Sequence, residues 1–241
     1  MEDLILTHKV TSYECSDDHL LKPECFMHFC QEMAESHAEL HGFGYEWGMQ
    51  SRMIWVEVKG TFEMLRRPEW KETVSLRTNT GTASALQARR FVEMTDEKGA
   101  VIGRADLLWV LIDFDRRRPI PLKRANLDPS VTRDCPPITA EIEEPEWPAE
   151  TPVAATLTAP RRDVDFNGHI NNSAYLIWAL DALPAEARPG KAPLRFRLNF
   201  KHETFAGEQV EIHHAVIGNK SRHLITTGDK LRAEITIEWA E

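Results

Sequence analysis

Seven of the 14 prolines in this 241-residue chain fall between Pro121 and Pro152, among them Pro136-Pro137, Pro145 and Pro148. Glu141, Glu143, Glu144 and Glu146 are interspersed with them. Each proline removes a backbone donor and fixes φ, so this stretch is neither a continuous helix nor a central strand. A structureless loop of that length inside one compact unit is unusual. The chain therefore reads as two folded halves, residues 1–130 and 152–241, joined by a proline-rich acidic linker at 131–151.

The first half opens with an expected strand near residues 4–14. From Pro23 to about His41, Phe26, Phe29/Cys30, Met33, His37 and Leu40 recur three and four apart, which predicts a helix. Pro23 suits its first turn, and Gly42 with Gly44 ends it. Strand-like runs follow near 52–65, 71–79, 84–95 and 101–114, with Asp96-Glu97-Lys98-Gly99 as a hairpin turn. The second half repeats the order: a strand near 152–160, a loop, a helix from Asn172 to Leu183, then strands near 192–203, 208–217, 221–228 and 231–239. Glu72-Thr73-Val74 aligns with Glu208-Gln209-Val210, each after a strand. The predicted class is α+β: one long helix packed on a curved antiparallel sheet, twice, as a pseudo-twofold pair resembling a fused homodimer.

Composition narrows the function classes. The longest strongly apolar run, Leu107 to Ile112, is far short of the roughly 18 residues of a membrane span. The net charge of −9 is spread over both halves, which argues against a general nucleic-acid binder. Neither a nucleic-acid nor a membrane partner is expected. The acidic opening Met1-Glu2-Asp3 predicts no secretory signal or transit peptide. Cys15, Cys25, Cys30 and Cys135 form no C-x-x-C pair, which fits a reducing cytoplasm. The expected substrate is a small molecule or something carried on one.

The most unusual segment, and the candidate for chemistry, is Arg161-Arg162-Asp163-Val164-Asp165-Phe166-Asn167-Gly168-His169-Ile170-Asn171-Asn172-Ser173-Ala174-Tyr175. Asp165, Asn167 and His169 alternate, so extended backbone would place a carboxylate, an amide and an imidazole on one side. The helix start that follows offers N–H groups to a developing oxyanion. Those are the ingredients of acyl-group hydrolysis. The spacing is equally that of a turn whose Asp and Asn satisfy local backbone, with Asn171, Asn172 or Ser173 capping the helix.

Asp165-Phe-Asn167-Gly-His169-Ile-Asn171-Asn172 with Tyr175 resembles the D-x-N-x-H-x-N-N segment of the acyl-ACP thioesterases, a branch of the hotdog-fold thioesterases. Further likenesses are Trp55-Val56, Arg67-Pro68-Glu69-Trp70-Lys71-Glu72-Thr73-Val74 and Ile235-Thr236-Ile237-Glu238-Trp239. The resemblance implies two tandem hotdog domains. It also implies thioester hydrolysis on acyl carrier protein bearing a phosphopantetheine thioester, and a site made of Asp165, Asn167, His169 and Glu203. Plant members carry a Cys just after that Glu; Thr204 stands here, which argues against a cysteine mechanism. Glu203 poses a problem. Arg195, Arg197, Asn199 and Lys201 are polar and Phe196, Leu198 and Phe200 apolar, so strict alternation puts Glu203 on the polar face. It reaches the site only if that face meets the inter-domain cleft or a bulge re-aims it.

The implied reaction needs no metal or other cofactor. Asp165 or Glu203 orients or deprotonates water, or Asp165 attacks to give an anhydride. His169 handles the proton for the thiolate, Asn167 positions water or substrate, and helix-start N–H groups hold the oxyanion. His37 and His41 are spaced as zinc ligands can be, but without a Glu for H-E-x-x-H they read as packed or surface histidines. Met33, Met53, Trp55 and Met64 read as core, and the resemblance makes them candidates for acyl-tunnel walls. Arg161-Arg162, and Arg116-Arg117-Arg118 with Lys123-Arg124, are candidate docking patches for the acidic carrier protein. Competing readings are an acyl-CoA thioesterase, a non-catalytic acyl-binding module and a hotdog dehydratase. Against the last, Ser16-Asp17-Asp18-His19-Leu20 does not repeat the motif, which predicts one active site per chain. A further homodimer is compatible with this architecture.

Overall fold

In the computed structural model, which describes residues 2–125, 137–148 and 151–240, the chain divides into two units, Met1–Ala140 and Glu141–Glu241. The first contains β1 (Leu4–Lys9), α1 (Pro23–Leu40), α2 (Tyr45–Ser51), β2 (Met53–Met64), β3 (Thr73–Thr82), β4 (Gln87–Thr95), β5 (Val101–Asp113) and β6 (Arg118–Pro119). Its strands are antiparallel in the order β1-β3-β4-β5-β2, with β6 paired to β5. The second contains β7 (Val153–Thr158), α3 (Asn172–Ala182), β8 (Pro193–Phe200), β9 (Gln209–Ile217), β10 (Lys220–Thr227) and β11 (Lys230–Trp239). Its order is β7-β9-β10-β11-β8, again antiparallel. The expected α+β class holds in both units.

Pro23 stands in the first turn of α1, where its missing N–H costs nothing, and Phe26, Phe29, Cys30, Met33 and His37 are buried on its inner side. Phe26 meets Phe62 of β2 edge-on, ring centroids 6.2 Å apart. Leu40 does not follow the stripe: it is the last helical residue and 64% exposed. The sequence gives no periodic signal for α2, whose middle residue is Gly48. A Cβ there would come within 2.8 Å of the Met53 carbonyl, so the close approach of α2 to β2 requires glycine. In the second unit, Leu176 and Ala179 of α3 are buried, as are Phe196, Leu198, Val210, Ile212, Ile225, Ile235, Ile237 and Trp239 of its sheet.

Positions 131–136 and 149–150 of the expected linker, Cys135 included, lie outside the described residues, as do 126–130 at the end of the expected first half. Several of the described ones are bound to the sheets. Asp106 of β5 accepts the N–H groups of Ile138 (2.8 Å) and Thr139 (2.6 Å) and the Thr139 hydroxyl (2.6 Å). In the second unit Arg197 donates to the Ile142 carbonyl at 2.9 Å and to Glu144, and Arg222 donates to the Pro145 carbonyl at 3.2 Å.

His37 and His223 are fully buried, and burial pushes the first imidazole down to about 4 and the second to about 3. His37 Nε2 lies 2.9 Å from the Glu2 carbonyl, and His223 Nε2 lies 3.0 Å from the Ser221 hydroxyl. Both are neutral in the fold, whereas the unfolded chain protonates them near pH 6.5. The unfolded state thus binds more protons below that pH, and stability falls on acidification. Each contributes a slope of about 1.4 kcal/mol per pH unit, fading near pH 4 for His37 and pH 3 for His223. Denaturant titrations between pH 7 and pH 4.5 are expected to show this decline, with a slope shallower by about one proton in His223→Gln; an unchanged slope would contradict the assignment.

Candidate active site

The backbone of the motif is a tight turn. Asp165 N–H donates to the His169 carbonyl (2.8 Å) and Gly168 N–H to the Asp165 carbonyl (3.1 Å), while Val164 and Ile170 form an antiparallel bridge. Gly168 has φ +85°, which only glycine adopts without strain. The Asp165 carboxylate closes the turn: Oδ1 accepts the N–H groups of Asn167 (2.9 Å) and His169 (3.3 Å). The expected extended alternation is therefore not what gathers these side chains. Asp165 and His169 meet across the neck of the turn, and Asn167 stands exposed at its tip.

Asn171 caps α3. Its Oδ1 accepts the Ser173 N–H (2.9 Å) and hydroxyl (2.7 Å), and its carbonyl accepts the Ala174 N–H (3.0 Å). These bonds use the N–H groups of Ser173 and Ala174, two of the donors at the helix start, where oxyanion binding is expected from the sequence. The N–H groups of Asn167, Gly168 and His169 are likewise engaged within the turn. Upstream, Asp163 Oδ2 accepts the Trp178 indole N–H at 3.0 Å, fixing the turn to the body of α3.

The Ile170 N–H donates to the Thr204 carbonyl at 3.0 Å, which joins the motif to the loop after β8. That loop resolves the problem of Glu203. Strand β8 ends at Phe200, and the N–H groups of both Lys201 (2.8 Å) and His202 (3.3 Å) turn to the Arg232 carbonyl. Alternation stops before Glu203, so strand parity does not set its direction. Its Oε1 lies 3.7 Å from His169 Nε2, with side chains 32% and 23% exposed respectively. The Phe205 ring meets the His169 ring edge-on at 5.1 Å. Sequence reasoning missed Phe205 because an aromatic after a strand carries no distinctive spacing. Tyr175 packs on Phe200 (5.7 Å) and Trp178 (5.4 Å), and burial pushes its phenol up.

The structure thus brings Asp165, His169 and Glu203 to one place in the second unit, with Asn167 beside them. Arg161 and Arg162 are exposed on a 3-10 turn (Arg161–Asp163) immediately before the motif. In the first unit, Met33 and Met64 are core residues. Met53 and Trp55 instead border a separate apolar cluster of Leu111, Ile120, Leu122 and Ala125, together with Phe43 and Trp47. Arg116, Arg117, Arg118, Lys123 and Arg124 are all exposed.

The first unit holds the same turn with different chemistry. Cys15 and Leu21 bridge as Val164 and Ile170 do, His19 takes φ +63° where Gly168 stands, and the Leu21 N–H donates to the Pro68 carbonyl at 2.9 Å. Ser16 occupies the place of Asp165 and Leu20 that of His169. Arg67, in the place of Glu203, donates to the Leu21 carbonyl (2.7 Å), the Asp18 carboxylate (2.6 Å), the Ser16 hydroxyl (2.6 Å) and the Leu20 carbonyl (3.0 Å). With Leu20 and Arg67 in the places of His169 and Glu203, the second unit's pair has no counterpart at these positions.

The acyl-ACP thioesterase N-terminal domain profile matches residues 6–128, and the C-terminal domain profile matches residues 148–241. A chloroplastic palmitoyl-acyl carrier protein thioesterase of Cuphea hookeriana is 28% identical over 208 residues, covering 80% of this chain and 50% of that protein. A chloroplastic oleoyl-acyl carrier protein thioesterase of Arabidopsis thaliana is 29% identical over 201 residues, covering 73% and 53%. The chain spans about half the length of these curated relatives. Among solved structures, an acyl-ACP thioesterase from Bacteroides thetaiotaomicron superposes with a TM-score of 0.87 at 21% identity, covering 98% of this chain and 97% of that one. The 12:0-ACP thioesterase of Umbellularia californica gives 0.86 at 23%, covering 99% and 97%. These two share the fold. With both of its domain profiles matched in order along the sequence, the chain belongs to the acyl-ACP thioesterase family.

Proposed function

We propose that this protein hydrolyses fatty acyl-ACP thioesters, releasing free fatty acid and holo-ACP in fatty acid biosynthesis. The observation that carries this reading is the His169–Glu203 pair beside the Asp165 turn, in the second unit of a chain of this family. Glu203 and His169 handle the protons. Glu203 takes a proton from water as the water oxygen adds to the thioester carbonyl; the C–S bond then breaks, and His169, which passes on the proton held by Glu203, protonates the departing pantetheine thiolate. Asp165, with Oδ1 held by two N–H groups, keeps the turn rigid. The Asn167 amide, exposed at the tip, is the donor assigned to the carbonyl oxygen or water, in place of the engaged helix-start groups. The free thiols of Cys15, Cys25 and Cys30 suit a reducing cytoplasm.

Thiol release on palmitoyl-, oleoyl- and dodecanoyl-ACP, with the matching CoA esters, tests this reading. Wild type is expected to favour the carrier-protein esters, and His169→Ala, Glu203→Gln and Asp165→Ala each to lower kcat by roughly 100-fold or more. Preference for CoA esters would move the substrate assignment while keeping the chemistry. Turnover on neither class would overturn it.

Arg161 and Arg162 are assigned to docking the acidic carrier. Reversing both to Glu is expected to raise KM for acyl-ACP about tenfold, leaving kcat and the KM for acyl-CoA within about twofold. The wild-type KM for acyl-ACP should also climb with salt. Equal effects on both esters would remove these residues from docking.

A further inference from the structure

Arg232 of β11 grips the loop that carries Glu203 from several sides. Its carbonyl takes the Lys201 and His202 N–H groups, its Nη1 donates to the Glu203 carbonyl, and its Nη2 donates to Glu208 Oε1 at 2.9 Å. Glu208 Oε2 in turn accepts the Phe205 N–H at 2.9 Å. The guanidinium therefore holds both ends of the segment 203–208. Its side chain is only 9% exposed, and its Nε is buried without a hydrogen-bond partner among the described residues. Burying a guanidinium with one donor unsatisfied is costly, so the position demands a reason.

The first unit supplies an internal control. Its loop after β2 has the same backbone scheme: Arg66 N–H donates to the Ile102 carbonyl (3.2 Å) as His202 does to that of Arg232, and Glu69 N–H donates to Glu72 Oε2 (2.9 Å) as Phe205 does to Glu208. Lys71 at φ +74° matches Gly207 at φ +90°. The residue in the place of Arg232 is Ile102, and it is buried. Glu72 finds its arginine in the half-exposed Arg66 of the loop itself, at 2.6 Å. With an isoleucine at this position, the first unit's loop is held instead by its own Arg66, on Glu72, and Arg67, on Leu21 and Asp18. Relative to that, Arg232 adds a charged donor on the main chain of Glu203.

We propose that Arg232 is a positioning residue: acting through the Glu203 carbonyl and Glu208, it fixes the direction from which the Glu203 carboxylate meets His169. This rests on the reading of Glu203 as catalytic. A displacement of about 1 Å at such a group costs up to roughly 100-fold in rate.

The test is a double-mutant cycle with thiol release on palmitoyl-ACP. Arg232→Ile, which installs the first unit's residue, is expected to lower kcat about 30-fold with KM within about twofold. In a Glu203→Gln background the same change should cost less than about threefold, because the group being positioned is already disabled. Hydrogen exchange of the 201–206 amides should rise about tenfold in Arg232→Ile while α3 stays unchanged. If Arg232→Ile does not fold, Arg232→Lys carries the same cycle, since an ammonium keeps the Glu208 pair but cannot span both acceptors. Equal losses in the two backgrounds, or unchanged exchange at 201–206, would overturn the proposal. If wild type turns over no thioester, the functional reading fails and hydrogen exchange alone decides whether Arg232 orders Glu203.

Discussion

The hydrogen bond from the Ile170 N–H to the Thr204 carbonyl is the contact on which the site depends. It joins two segments far apart in sequence, one leading into α3 and one leaving β8, and each delivers one member of the carboxylate–imidazole pair. Neither segment is regular structure, so neither has a ladder to hold it. The Asp165 carboxylate closes the first from within, and the main chain of Arg232 holds the second. A single main-chain bond between two such loops is productive only because both are already rigid.

The elements were largely legible from the chain. The α1 periodicity, the Pro23 start and the succession of strands along both halves follow from apolar spacing and turn residues, because those signals report burial, which is what builds the sheets. What was not legible had other physical origins. Helix α2 has no apolar stripe and a glycine at its centre, required by the proximity of the Met53 backbone. The motif's alternation suggested extended backbone, yet Gly168 and the Asp165 side chain favour a turn, and the local hydrogen bonds prevail. Glu203 read as outward-facing because alternation was continued three residues past the point where the backbone leaves the strand. Arg232 gave no signal, since a lone arginine in a strand looks the same whether solvated or buried.

The paired turns show how one scaffold takes two fates. The main-chain pattern is retained in both, down to the residue of positive φ, while the side chains diverge. Arg67 in the first unit ties down neighbouring carbonyls and Asp18, where Glu203 in the second faces an imidazole. Asymmetry in chemistry has been written entirely in side chains, with the backbone as the common term.

The described part of the segment between the units is divided between two hosts. Ile138 and Thr139 are held by Asp106, whereas Ile142, Glu144 and Pro145 are held by Arg197 and Arg222. Those guanidiniums sit on the sheet that carries the site, and Arg197 is buried beneath the segment it binds. A fragment cut at the start of β7 would thus lose not a tether but the Glu144 carboxylate and the carbonyls that Arg197 and Arg222 bind. The chain's natural seam lies before Ile142, and an excised or transplanted second half would have to take these residues with it to remain satisfied.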